Sequence, residues 1–540
     1  MSLITQLSRE DVMFVAGETN SIYQHVAVLT VLDTSDRPEF DFEHFRSHVA
    51  ERVALIPHFH WKLHLVPLGL DRPYWVEDEN FSFDHHIKHI ALPQPGDRET
   101  LCEVASHLYA RNLDRSRPLW EIWLIEGLED GRYAYLQKFH HCMMDGEGAF
   151  KMIEILCDLE PDPPGEKKVD KSISEARAGK VPSNPERSSK TLQHLARLPG
   201  EAARNVYNIL RPKLLEQFVW PRKPREERAV VPTTCFNGVI SSDRAMAFAS
   251  LPMAQLKAVK DHFEVSLNDV VLALVSTAVR EYLREHGELP EESLRTNIPV
   301  SLRSSDDDQL SNRVTTTTVT LATDLADPAA RLRAINEESE QAKLKAHSGG
   351  IGMIELFQMM PPIMVSTVME TLPEDQAPQI LGANLIISNV RGSPVSMYIA
   401  GAHMDQMYPM SILTAGMGVN ITCVSYRGEM NLGIIVDPNL VPDHHTLATG
   451  LDVALQEYLD QCRPEPGRRK ISKAAAKTPR KPAAKTARRK TAAAKKQVGT
   501  GTGRKKAATG AAKRASVSGS TRKKAAVTTG TKSAAQRKRK

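Results

Sequence analysis

Residues 120–160 read WEIWLIEGLEDGRYAYLQKFHHCMMDGEGAFKMIEILCDLE. Two runs rich in aromatic and branched residues, 120–128 and 132–141, flank Glu129-Asp130-Gly131, a turn signal that predicts a hairpin of two strands. Trp120, Ile122 and Leu124 share one face of the first strand, while Trp123 and Ile125 share the other. The second strand runs into His140-His141, and a short turn closes on Asp145-Gly146. Helical spacing follows over 148–160, with Phe150, Ile153 and Leu156 on one side.

Histidine is the usual general base near neutral pH, because its unperturbed pKa lies there. Strand alternation lets only one of two adjacent histidines face a given cleft. Asp145 stands four residues beyond His141, a spacing at which a tight turn brings the carboxylate back under the strand end. The bland reading stays open here, since His85-His86 and His444-His445 occur in the same chain and an Asp-Gly pair is an ordinary turn. Cys142 is a further nucleophile option, but it has no recognisable partner, and a small buried thiol explains it as well.

Outward from this stretch the chain alternates strands and helices. HVAVLTVLD (25–33) suits a buried strand, and 40–56 and 100–112 have helical spacing. Beyond residue 160 the text turns Pro- and charge-rich, reading as an exposed linker with a helix around 192–218. Strand candidates return at 245–251, then TNIPVSLR, VTTTTVTLAT, ANLIISNV, VNITCVSY and NLGIIVD. Residues 266–287 form a long amphipathic helix with Leu267, Val270, Val271, Leu274 and Ala278 in register. The expected organisation is a lobe at 1–160, a linker at 161–234, a second lobe at 235–466 and a tail at 467–540.

At roughly 150 residues per domain, 540 residues allow about three to four units. The net charge of +5 hides a split: residues 467–540 hold 26 Lys and Arg and no acid, leaving 44 basic and 65 acidic residues in the body. The tail, with almost no apolar residue but alanine, cannot bury a core and is expected to be disordered. Such a polycation suits anionic lipid headgroups or nucleic acid. No apolar run approaches the ~18 residues of a membrane span, and no signal peptide is expected. The six scattered cysteines read as reduced thiols in a cytoplasmic protein. GTGTGRKK (499–506) lies in the tail without a preceding strand, a poor phosphate loop. No metal-binding pattern appears.

His140-His141-x-x-x-Asp145-Gly146 resembles the HHxxxDG signature of the CoA-dependent acyltransferase superfamily, shared with nonribosomal peptide condensation domains. The flanking text narrows the resemblance to bacterial wax ester synthase/acyl-CoA:diacylglycerol acyltransferases. It is carried by RPYWVE (72–77), Leu113-Asp114, Pro118-Leu119-Trp120-Glu121 and Ile125-Glu126-Gly127. Downstream it continues in Asn268-Asp269, Pro299 to Arg303, Ser388-Asn389-Val390 and Gly433 to Asp437. The similarity spans about residues 6–460 and leaves out the tail.

The resemblance implies an α/β fold of two chloramphenicol-acetyltransferase-like lobes with a helical linker, ahead of the disordered basic tail. It implies transfer of a long-chain acyl group from acyl-CoA to the hydroxyl of diacylglycerol or a long-chain alcohol. Acyl-CoA is then a substrate, with no cofactor and no metal. His141 would be the general base, with His140 and Asp145 supporting it; Arg303 is a candidate ion-pair partner for Asp145. Gly146 would keep the channel open, and Asn268 would stabilise the oxyanion unless it serves only to cap its helix. Asp269, Pro118, Leu119 and Trp120 join the substrate-binding set, Trp120 chiefly as core with a share in an acyl tunnel. The Met-rich stretch 353–369 reads as core or as a pliable lipid-facing wall. Where the family has Ser-Asn-Val-Pro-Gly, this chain has Arg391 in place of proline. Attachment to an anionic membrane or lipid droplet through the tail is expected, with nucleic acid as the rival partner. Two other readings remain: a polyanion- or membrane-binding protein with a degenerate acyltransferase body, and a condensation enzyme using carrier-protein thioesters.

Overall fold

The computed structural model describes residues 3–4, 6–144, 146–180, 183, 193, 231–301, 314–347 and 360–463. The tail, all but one residue of the helix expected at 192–218, Asp145, Arg303 and most of the first half of the Met-rich stretch lie outside them.

Among the described residues twelve strands build two six-stranded sheets. They are β1 (His25–Asp33), β2 (Ile87–Ala91), β3 (Trp120–Glu126), β4 (Tyr133–His140), β5 (Ala245–Pro252) and β6 (Arg295–Ser301). Then follow β7 (Val314–Thr320), β8 (Leu385–Val390), β9 (Tyr398–Ile399), β10 (Ala402–Met410), β11 (Val419–Tyr426) and β12 (Glu429–Val436). The longer helices are α1 (Arg9–Ala16), α2 (Phe42–Val53), α3 (Arg98–Tyr109), α4 (Gly146–Leu156) and α5 (Met253–Phe263). After them come α6 (Leu267–Glu285), α7 (Pro328–His347), α8 (Pro362–Thr371) and α9 (His445–Cys462).

The expected hairpin is β3–β4, antiparallel from Trp120 opposite Phe139 to Ile125 opposite Ala134. It lies inside a sheet of order β9-β10-β1-β4-β3-β2. The second sheet has the order β7-β6-β8-β11-β12-β5. Its β6–β8 and β8–β11 pairs are parallel. The fold is thus mixed α/β with two sheet-bearing lobes, both in one compact unit that ends at Arg468.

Strand alternation sorts the side chains into separate cores. Trp120, Ile122, Leu124, Tyr135 and Phe139 point to a cluster with Phe45, Val49 and Val53 of α2 and Met152, Ile153 and Leu156 of α4. Ile125, Ala134 and Leu136 face the other way, to Leu101, Ala105 and Leu108 of α3 and to Met246 and Phe248 of the second sheet. A further cluster packs α5, α6 and α9 under the second sheet.

The second half of the chain also enters the first sheet. β10 pairs antiparallel with β1, Thr30 opposite Met407, so residues 402–410 complete a sheet built mainly by residues before 141. β12 lies hard against β10, where a Cβ on Gly433 would stand 1.7 Å from the Pro409 carbonyl oxygen. Only glycine permits that approach.

Among the described residues no single helix is long and apolar enough to cross a membrane. α5 and α6 pass that test only as a pair bent by 102°. Residues from Val270 to Val279 of α6 are buried inside the second lobe, so α6 is a core helix.

Candidate active site

The paired histidines sit where β4 leaves the sheet, clamped on both sides. The His140 amide donates to the Leu119 carbonyl at 2.9 Å, and the His141 amide donates to the Gln24 carbonyl at 2.7 Å. Pro118-Leu119-Trp120 therefore supports the histidines through its backbone. Trp120 is 1% exposed; its indole N–H donates to the Phe59 carbonyl at 2.8 Å, and it stacks on His86. Its side chain is core, as expected, and with Pro118 it also borders a cavity of about 250 Å³ beside Asp114, Arg117 and Glu121.

The two imidazoles have different surroundings. His140 is 1% exposed. Its Nδ1 accepts from the Cys142 amide at 3.1 Å, which leaves the proton on Nε2, 3.5 Å from the Glu18 carboxylate. Burial holds its pKa below the ordinary value, with Glu18 pulling the other way. Glu18 itself stays ionised. Burial alone would raise its pKa, but His140 and Arg115 outweigh that and bring it to about 2.

His141 is only partly buried. Its ring lies flat on Phe14 of α1, with centroids 4.0 Å apart and 9° between planes. Of the pair, His141 is the one a substrate can reach.

A buried polar layer lies beneath this strand end. Lys138 is fully buried and donates to the Leu108 and Arg111 carbonyls at 2.9 and 2.7 Å. Opposite His140 in the register, His25 meets the Tyr109 carbonyl at 2.6 Å through Nε2. These groups cap the C-terminal carbonyls of α3, where a cation is favoured. Burial lowers the Lys138 pKa to about 8 against the pull of Glu121. Burial and the Lys138 charge hold His25 well below its ordinary value.

The second lobe closes over the turn. A Cβ on Gly146 would come 3.1 Å from Cγ2 of Val390 at the end of β8, so this glycine admits the approach of the neighbouring strand. One residue earlier, Asn389 donates from Nδ2 to Oδ1 of Asn268 at 3.5 Å. Asn268 is half-buried in the first turn of α6. The helix cap belongs to Ser266, which makes a reciprocal capping box with Asp269. Asn268 is therefore free of the capping duty. Asp269 is fully buried; its carboxylate accepts from Ser266 and, at 2.9 Å, from Asn336. That geometry makes it a brace for the start of α6. Arg391 is exposed, and the next residue, Gly392, donates its amide to Ser425 Oγ at 3.3 Å.

Comparison with known proteins follows the same outline. The wax ester synthase/diacylglycerol acyltransferase catalytic domain matches residues 7–271, and the C-terminal domain of that family matches residues 310–458. The chain belongs to the wax ester synthase/diacylglycerol acyltransferase family. A Mycobacterium tuberculosis protein whose name assigns it, provisionally, to the diacylglycerol O-acyltransferases is 34% identical, covering 84% of this chain and 90% of its own. The O-acyltransferase WSD of Acinetobacter baylyi is 30% identical over 83% of this chain and 95% of its own. The solved wax ester synthase/diacylglycerol acyltransferase of Marinobacter aquaeolei VT8 superposes with a TM-score of 0.63 at 25% identity. That match covers 85% of this chain and all of the other.

As a member of this family the chain is an O-acyltransferase, and the site's remaining features take their place around that chemistry. Cys142 is 1% exposed, and burial pushes its thiol well above the ordinary pKa; it is core, not a nucleophile. All six cysteines are free thiols. Two neighbours of the site have no obvious mark in the sequence pattern. Phe14 reads as one more apolar residue of an amphipathic helix. Glu18 is a lone acid between two apolar runs, and that isolation is the only signal that could have singled it out. Glu18 also borders a polar cavity of about 600 Å³ with Asn112, Arg115 and Glu374.

Proposed function

We propose that this chain transfers a long-chain acyl group from acyl-CoA to the hydroxyl of diacylglycerol, and also to that of a long-chain alcohol. His141 is the general base. Its imidazole takes the proton of the acceptor hydroxyl as the oxygen attacks the thioester carbonyl. The tetrahedral intermediate collapses with cleavage of the C–S bond, and the imidazolium returns the proton to the CoA thiolate. No acyl-enzyme and no cofactor are required. A thioester is already activated, so the site supplies alignment, a base and donors for the developing oxyanion.

The observation that carries this reading is the placing of His141. It is half-open and stacked on Phe14, five residues before the Gly146 that meets Val390, and Val390 follows Asn389 of the Asn389–Asn268 pair. Asn268, with its Oδ1 engaged by Asn389, keeps an amide N–H₂ to offer the oxyanion. His140, held neutral in one tautomer, braces the strand end. Asp145 supports the base in this reading, and Asp269 holds the start of α6. The PLW segment supports the strand that carries the base. The basic tail attaches the enzyme peripherally to anionic lipid on the cytoplasmic side, with nucleic acid as its rival partner.

The test is CoA release from palmitoyl-CoA by the purified chain, with diacylglycerol and hexadecanol as separate acceptors and products identified by chromatography. Acceptor-dependent release is expected, and His141→Ala is expected to lower it by about 10³-fold, within the usual range for a general base. Release that survives in the variant would remove His141 from the mechanism. No release with either acceptor from folded protein would remove the activity.

A further inference from the structure

Among the described residues, five of the ten exposed large apolar side chains gather where two segments meet. In the loop before residue 71, Leu68 is 78% exposed, Leu65 50% and Leu70 38%; at the start of α8, Met364 is 50% and Ile363 42% exposed. The segments touch, because the Cβ position at Gly69 lies 3.5 Å from Cβ of Ile363. A cluster of this kind marks an interaction surface, whereas scattered exposed leucines do not.

The apex of the patch is held in an unfavourable backbone. The Gly69 amide bonds the Val66 carbonyl at 3.1 Å, closing a turn on Pro67 and Leu68. Leu68 has φ 59° and ψ 11°, the place that a type II turn normally gives to glycine. A leucine there holds a strained backbone and buries almost nothing in return. Neighbouring charges are turned away from it. Asp71 is buried, and the Arg72 guanidinium folds back to the Leu7 carbonyl at 2.6 Å. What remains is a knob of four aliphatic side chains and a methionine, exposed at the apex of a turn and the start of α8.

The knob adjoins the catalytic turn. Ser366 of α8 donates to the Ala16 carbonyl of α1 at 2.8 Å, and α1 carries the Phe14 ring that lies on His141. We infer that Leu65, Leu68, Leu70, Ile363 and Met364 form a docking face that inserts into a phospholipid surface and brings the His141 side of the first lobe to lipid-dissolved acceptor. A protruding, flexible-sided apolar knob suits a fluid lipid surface better than a fixed protein groove. The inference rests on the proposed use of a lipid acceptor. It is also independent of the tail, because apolar insertion needs no anionic headgroup.

The test uses the full chain and phosphatidylcholine vesicles holding diacylglycerol, at about 1 M salt, where the Debye length is about 3 Å and the tail's charges are screened. Sedimentation should show the Leu68→Glu/Ile363→Glu double variant partitioning at least tenfold less than the parent, the loss expected when buried apolar area is replaced by charge. Leu68→Gly relieves the strained turn, so it should melt at the same or a higher temperature while partitioning several-fold less. CoA release with vesicle diacylglycerol should fall in step, and release with a water-soluble short-chain alcohol should not. Equal partitioning of parent and variants overturns the inference. So does a dimer of the parent, seen by sedimentation velocity without lipid, that the double variant dissociates. Vesicle binding without CoA release from either acceptor would leave the docking face standing and sink the proposed activity instead.

Discussion

The two lobes share a plan, a six-stranded sheet backed by helices, yet they bury different chemistry. The first hides His25, Lys138 and His140 under the end of β4, with Glu18 and Glu121 beside them. The second buries Asp269 and Arg331 as helix braces, and none of its histidines is fully buried among the described residues. Buried ionisable groups gather beneath the His140–His141 turn. The second lobe offers an apolar wall and a pair of asparagines. The difference teaches that, under the proposed mechanism, one lobe sets protonation and tautomer while the other supplies Val390 and the neutral Asn389–Asn268 pair.

The largest expected effect tests the buried layer. Lys138→Met leaves the Leu108 and Arg111 carbonyls without their donor, while Glu121 keeps its ion pair with Lys88, and should cost about 3 kcal/mol in chemical unfolding, as removal of one member of a buried polar set does. A loss below about 1 kcal/mol would show that the layer is not what holds α3 to β4.

Closure between the lobes is next. Gly146→Ala places a methyl against Val390 and should lower CoA release roughly tenfold, equivalent to about 1.4 kcal/mol and within the usual cost of overpacking. Val390→Ala added to it should restore most of the loss. If the double variant is no better than the single one, the contact does not shape the site.

The pH response should belong to the first lobe. His25 stays neutral when folded, its pKa held well below the ordinary value by burial and by Lys138. As pH falls below about 6.5, the unfolded chain takes up a proton that the folded chain refuses, so stability drops by up to about 1.4 kcal/mol per pH unit for this group. His25→Gln can still donate to the Tyr109 carbonyl without titrating. Melting curves between about pH 7 and 5 should therefore be flatter for the variant than for the parent. Parallel curves would assign the acid sensitivity elsewhere.

The smallest effect lies in the second lobe. Asp269→Asn weakens the capping box and should cost about 1 kcal/mol of stability. Because the geometry makes Asp269 a brace, the KM for acyl-CoA should hold while the melting temperature falls. A raised KM at unchanged stability would return this residue to the substrate-binding set.

Much of this was legible from local pattern. The hairpin, its two faces and the strand that ends in paired histidines follow from alternation and turn chemistry. The boundaries fall close to expectation as well: 25–33 is a strand over that whole span, and the helix expected at 266–287 runs Leu267–Glu285. The ordered family motifs pointed to the acyltransferase family. Less legible was the work done by each motif. Asn268 and Asp269 are adjacent in sequence, but one faces Asn389 and the other closes the capping box. Asp269's part follows the local Ser266-x-x-Asp269 capping rule, whereas the role of Asn268 depends on Asn389, a partner from another element.

By itself, then, the sequence determined the elements, the family and the histidine pair, since backbone periodicity, turn residues and ordered motifs are local properties of a chain. Tertiary structure decided which histidine is sealed and which is open, and it brought Phe14 and Glu18 to them. It sent residues 402–410 back into the first sheet and left Leu68 exposed at the apex of its turn. Those outcomes depend on contacts between residues that are distant in the chain, where packing and desolvation act and no local pattern records the partner.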